Sequence, residues 1–171
     1  RHPLNPILTA SDWPYPVNSV FNPAAAVVDG ETVILARVED LRGISHLTVA
    51  RSANGIDEWA VDEQPFLAPL DGIESEQWGF EDPRAVWLPE LKRWAITCTA
   101  YGPPGPAVYL ATTTDFRTVE RHGIIQGAED KNAALLPQRI DGKWILFHRP
   151  SEGAVTGSGG EIVLSRSADL V

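Results

Sequence analysis

One carboxylic acid set among amides and guanidinium groups is the chemistry that stands out in this sequence. In the run Glu81-Asp82-Pro83-Arg84, Asp82 precedes a proline, and Asn22 and Asn132 occupy matching places 60 residues upstream and 50 downstream. Arg37 and Arg149 each fall seven residues after a hairpin glycine, Gly30 and Gly142. A carboxyl group in such a setting is a candidate for catalysis by proton transfer, while planar guanidinium groups grip oxyanions through paired hydrogen bonds. A plainer reading competes. Proline favours extended geometry in the residue before it and tolerates the first place in a strand, so these dipeptides would merely open strands. Glu81 and Asp82 would then pair with Arg84. Three equivalent polar openings, two of them followed by arginine-bearing strands, favour a site.

The elements that must position these groups repeat three times, and internal repetition decides architecture first. Asn22-Pro23 opens the apolar run 24–28, the hairpin dipeptide Asp29-Gly30 turns the chain, and a strand follows over 32–38. Asp82-Pro83 opens 84–88, a turn spans 89–92, and 94–100 returns. Lys131-Asn132 opens 133–136, Asp141-Gly142 turns, and 143–149 returns. Each copy ends in a similar signature: Ser52-Ala53-Asn54, Thr113-Thr114-Asp115 and Ser167-Ala168-Asp169. The spacing suits four-stranded blades, so the expected class is all-β, a β-propeller, with repeats at about 22–80, 81–130 and 131–171 in one partial catalytic domain over 1–171. A β-sandwich also shows many short strands and is the alternative. Three blades do not close a ring of four to eight, so absent sequence or another chain supplies the rest. In a propeller the first strand of each blade lines the central channel, and Asn22, Asp82 and Asn132 converge there.

Composition bounds the partners. The 171 residues are 43% hydrophobic, enough for one cored domain, and the formal charge of −9 argues against a nucleic-acid surface. The single cysteine, Cys98, lies in an apolar stretch and reads as a buried thiol. No apolar run approaches a membrane span and no signal-like block precedes residue 20, which makes a cytoplasmic enzyme the expectation. The chain has no methionine and stops without a tail, as if cut from something longer. Open apolar edges on a three-blade piece favour association with another copy. His46 reads equally as a sugar contact or a satisfied strand histidine, His2 and His122 as surface residues, and His148 as the histidine whose place in the repeat suggests function. Four scattered histidines and one cysteine give no metal spacing, so no metal is expected. Gly157-Ser158-Gly159-Gly160 reads as a flexible turn. Trp59, Trp78, Trp87 and Trp94 include possible sugar-stacking surfaces, with blade packing the commoner role.

The segments Phe21-Asn22-Pro23-Ala24-Ala25, Ile34-Leu35-Ala36-Arg37-Val38, Gly43-Ile44-Ser45-His46-Leu47, Glu81-Asp82-Pro83-Arg84, Asp130-Lys131-Asn132-Ala133-Ala134-Leu135-Leu136-Pro137 and Phe147-His148-Arg149-Pro150 resemble, in order, glycoside hydrolase family 130. That family comprises β-mannoside phosphorylases and related β-mannosidases. The resemblance runs from about Asn5 to Val171 and implies a five-bladed propeller, about three blades of it present, with its active site in the central channel. It implies that Asp82 is the general acid, the sugar's own 3-hydroxyl relaying the proton. It further implies that Asn22 and Arg37 hold the mannosyl unit, with His46, Arg84 and Asn132 among the substrate contacts. Lys131, His148 and Arg149 match the region that binds inorganic phosphate, and Asn132 departs from the acidic residue the family pattern carries beside that lysine.

The residue inventory fits such chemistry. An inverting glycosidase needs an acid and a base flanking the bond. Phosphorolysis needs only the acid, because phosphate brings its own nucleophilic oxygen and fixed cations hold it. A useful acid near neutrality has a raised pKa, for which burial in a narrow channel is the expected cause. The leading expectation is phosphorolysis of a β-mannoside oligosaccharide to mannose 1-phosphate with inversion, inorganic phosphate being co-substrate and no cofactor being needed. Phosphate-independent hydrolysis and non-catalytic glycan binding are the alternatives.

Overall fold

Two-residue turns between half-apolar runs fold this chain into antiparallel meanders. The computed structural model describes residues 2–3, 5–150 and 161–170, and the expected turn at Gly157-Ser158-Gly159-Gly160 lies outside them. The first meander comprises β1 (Ser19–Val28), β2 (Glu31–Glu39), β3 (Ser45–Ser52) and β4 (Ala60–Val61). The second comprises β5 (Gly79–Leu88), β6 (Arg93–Gly102), β7 (Gly105–Thr113) and β8 (Glu120–Gln126), and the third β9 (Asp130–Leu135), β10 (Trp144–Pro150) and β11 (Val163–Ser167). Two short 3-10 turns are the only helical elements among the described residues. All pairing within a meander is antiparallel. One parallel bridge, Ser45 to Gly79, joins the first meander to the second, and no sheet closes on itself among the described residues.

Local chemistry explains the recurrent connections. Asp29 and Gly30 have φ of 51° and 86°, and Asp141 and Gly142 have 51° and 74°, the doubly left-handed turn their dipeptides predict. The signature that ends each copy is a turn-maker. Asn54 Oδ1 accepts from the amides of Ile56 and Asp57, and Asp115 Oδ1 accepts from those of Arg117 and Thr118. Those amide donors hold the Asp115 carboxyl below its ordinary pKa.

The meanders stack face to face. Leu35, Leu47, Val49, Phe80, Ile96 and Tyr109 pack between the first and second. Leu88, Ala95, Leu110 and Trp144, with a separate group of Val108, Ala133 and Leu146, fill the space between the second and third. Every residue of β3 is buried; on its far side Tyr15 of the N-terminal segment bonds His46 and Thr48, while Trp13 packs with Ala36 and Val38 of β2. Burying each large side chain contributes about 1.5–3 kcal/mol, so these contacts dominate the stacking. Where Gly79 meets Ser45, a Cβ would run into the Ser45 backbone, and φ is +106°. Glycine is therefore what lets the first two meanders touch at the end that carries the polar residues.

Candidate active site

Asn22, Asp82 and Asn132 sit inside strands, not at their openings. In β1 the ladder runs through Phe21 opposite Arg37 and resumes at Ala24 opposite Leu35. In β5 it breaks between Glu81 opposite Thr99 and Arg84 opposite Thr97. In β9 and β10 it breaks between Lys131 opposite Arg149 and Ala134 opposite Phe147. Each break is a β-bulge with two residues opposing one, and Asn22, Asp82 and Asn132 have φ of 45°, 50° and 57°. Extended geometry before Pro23 and Pro83 is thus overturned. The bulge demands a left-handed residue, which Asn and Asp adopt more readily than other side chains. Proline, lacking an N–H, loses no ladder bond there.

The same register makes Arg37, Thr99 and Arg149 equivalent, so the second meander lacks the arginine that the other two carry. Arg37 fills that place from next door. Its Nη1 donates to Asp82 Oδ1 at 3.2 Å, its Nη2 to Glu81 Oε1 at 3.1 Å, and its Nε to Ser45 Oγ at 3.0 Å. The guanidinium lies over the Phe21 ring, 4.5 Å from the centroid, which fixes its plane. Asn22 Nδ2 donates to the same Asp82 Oδ1 at 3.0 Å. One carboxylate oxygen is therefore held twice, while Oδ2 has no partner among the described residues. Asp82 lines an open cleft of about 450 Å³ with Asn22, Pro23, Pro83 and Arg84. Its side chain is 32% exposed, so the described residues bury it only partly. Arg84 makes no ion pair with Glu81 or Asp82. Arg37 takes that part, which the spacing of Glu81-Asp82-Pro83-Arg84 did not suggest.

The third meander gathers the basic candidates. Asn132, its amide oxygen turned to the guanidinium, accepts from Arg149 Nη2 at 2.7 Å and Nε at 3.3 Å. Lys131 lies directly across the ladder from Arg149, with no side-chain partner among the described residues. His148 is buried and engaged on both sides, its Nδ1 with Asp130 Oδ2 and its Nε2 with Ser165 Oγ at 2.8 Å. Asp130 Oδ1 is buried without a hydrogen bond. Sequence reasoning missed Glu81 as an arginine partner and missed Asp130 and Ser165. For Glu81 and Asp130 the signal was the alignment of β9 with β1 and β5, which sets Glu81 and Lys131 at one place and Asp130 one residue earlier.

His46 stands apart from this group. It is buried on β3, hydrogen-bonds Tyr15 Oη through Nε2 at 2.9 Å and lines a different cavity. Burial lowers its pKa, with Asp40 partly opposing. His122, expected at the surface, is half-buried and bonds Thr112 Oγ1 at 2.8 Å. Trp78 and Trp87 are about two-fifths exposed, and Trp94 packs against Phe116. No group of three metal-ligating side chains occurs among the described residues, and no helix is long and apolar enough to cross a membrane.

Stacked blade-like antiparallel sheets, one of which presents a carboxylic acid beside amide and guanidinium groups, are the arrangement this chain brings to the comparison with known structures. The strand arrangement is shared with fructan 1-exohydrolase IIa from Cichorium intybus, at a TM-score of 0.70 and 15% identity over 96% of this chain and 33% of that one, a likeness of fold alone. The chain belongs to glycoside hydrolase family 130, whose profile, described as β-1,4-mannooligosaccharide phosphorylase, matches residues 6–171. It is 31% identical to the β-1,4-mannooligosaccharide phosphorylase of Ruminococcus albus over 99% of this chain and 51% of that protein. It is 34% identical to the β-1,2-mannobiose phosphorylase of Listeria innocua over 76% of this chain and 35% of the relative. The Listeria innocua enzyme solved with β-1,2-mannobiose superposes with a TM-score of 0.85 at 26% identity, over 99% of this chain and 63% of that one. The chain spans about half the length of the Ruminococcus relative.

Proposed function

We propose that this chain carries the acid-bearing part of a β-mannoside phosphorylase, built as a five-bladed propeller of which three blades are present here. The observation that carries the reading is the divided state of Asp82: Oδ1 is fixed by Asn22 and Arg37, and Oδ2 is free to hold the proton relayed to the leaving oxygen. The phosphorylases among the relatives support the mannoside and phosphate parts. In the proposed step a phosphate oxygen attacks the anomeric carbon, the bond to the leaving oxygen breaks, and that oxygen takes a proton from the sugar's 3-hydroxyl, which in turn takes the proton of Asp82. The products are mannose 1-phosphate of inverted configuration and a shortened acceptor. Lys131 and Arg149 hold the phosphate, and Asn22, Arg37, Arg84 and Asn132 contact the sugar. Both His148 nitrogens are already bonded, so its part is to support this corner from within. No cofactor enters the scheme, and the macromolecular partner is a neutral glycan.

The test is mannose 1-phosphate release from a β-mannobiose with and without phosphate. Release that requires phosphate is expected, and Asp82→Asn lowers the rate roughly 10²–10⁴-fold with the fold intact. Free mannose without phosphate would show hydrolysis instead, and binding without release a glycan-binding module.

A further inference from the structure

A second open cavity, of about 870 Å³ beside β3, is larger than the Asp82 cleft. Its walls are the turn between β2 and β3 and the connection from β4 to β5. Both lie at the end of the sheets that holds Asn22 and Asp82, because Ser45 pairs with Glu39 and Gly79, and Glu39 with Ser19. The floor is made by Tyr15 and His46, whose rings are 5.7 Å apart. Burial keeps His46 neutral at neutral pH, able to serve as donor or acceptor for a hydroxyl.

The polar groups divide into spent and unspent. Asp40 is consumed by its own turn, accepting from the amides of Arg42 and Ile44 and from the Arg42 guanidinium. By contrast, the side chains of Glu63, Gln64, Asp71, Glu74 and Gln77 line the cavity with no hydrogen-bonding partner among the described residues. Leu70 and Ile73 lie among them, 52% and 44% exposed. Free amide and carboxylate edges beside bare aliphatic surface suit a ligand that presents hydroxyls on one side and C–H groups on the other. Three unpaired carboxylates repel an anion, so phosphate is not that ligand.

We infer that this cavity binds the outlying sugar units of a neutral oligosaccharide whose terminal unit is cleaved at Asp82, an inference that rests on the mannoside chemistry proposed above. Neighbouring strands are about 4.8 Å apart, so β3 lies roughly 10 Å across the sheet from β1, within reach of a third or later ring. The first and third meanders flank the second. The oligosaccharide therefore approaches Asp82 from the side opposite Lys131 and Arg149, and the leaving chain and phosphate do not compete for space.

Calorimetric titration of Asp82→Asn protein without phosphate, which suppresses turnover, reads the cavity directly, with β-mannotetraose and β-mannobiose as probes. The tetrasaccharide is expected to bind more tightly than the disaccharide. Replacing the exposed pair Gln64→Ala and Gln77→Ala weakens the tetrasaccharide roughly tenfold and leaves the disaccharide unchanged. Equal affinity of the two probes, equal weakening of both, or an unchanged tetrasaccharide overturns the inference. Phosphate-dependent cleavage of the disaccharide by protein with intact Asp82 tests the chemistry separately. Its failure with the length pattern intact would sink the Asp82 reading alone.

Discussion

At the scale of single residues, Arg37 is where structure and chemistry meet. From β2 it bonds Asp82 and Glu81 of the neighbouring meander and Ser45 of its own, with its side chain only 14% exposed. Arg37→Met leaves two adjacent carboxylates without their shared donor. The expected result is a loss of about 1–3 kcal/mol in urea unfolding, together with roughly a 10²-fold fall in kcat/KM. The equivalence of Asn22, Asp82 and Asn132 was legible in the sequence, because a repeated place held amide, acid and amide. The true partner of Asp82 was not, because Arg37 is adjacent only after two meanders stack, while Arg84 is adjacent in the chain. His46 gives a pH signature. Burial favours its neutral form in the folded state, so below its ordinary value of about 6.5 the unfolded chain binds the extra proton. Stability attributable to His46 is full above that pH and declines as pH falls through it, and His46→Gln should flatten this limb of the unfolding midpoint against pH.

At the scale of elements, the bulges explain what periodicity could not. Strand runs, the Asp-Gly turns and the repeat of Ser-Ala-Asn-like signatures could all be read from local residue types. The bulge could not, since Asn-Pro and Asp-Pro read as strand openings until the ladder shows pairing on both sides of them. Left-handed backbone predicts an uneven substitution pattern at Asn132, whose φ is 57°. Asn132→Gly keeps the backbone and removes only the bond to Arg149. Asn132→Val forces a branched side chain into a left-handed residue, at about 1–2 kcal/mol, or roughly 2–6 °C in thermal midpoint for a chain of this size. A valine variant as stable as the glycine one would remove the strain from this account.

At the scale of the whole molecule, cohesion comes from apolar stacking between meanders, since one backbone bridge joins the first two. Cys98 reports on that cohesion. It is 4% exposed within the first core, and burial pushes its thiol pKa far up. Native protein should resist a thiol reagent, with labelling that appears only as the stacked sheets open and that follows the global unfolding free energy. Rapid labelling without unfolding would show the first two meanders parting on their own. The bulge has a consequence at this scale too. Three bulges of one register hold Asn22, Asp82 and Asn132 at equivalent places, each presenting a short polar head above the same strand pairing. Exchanging a single side chain there, Asn for Asp or the reverse, changes the chemistry on offer while the ladder beneath keeps its register.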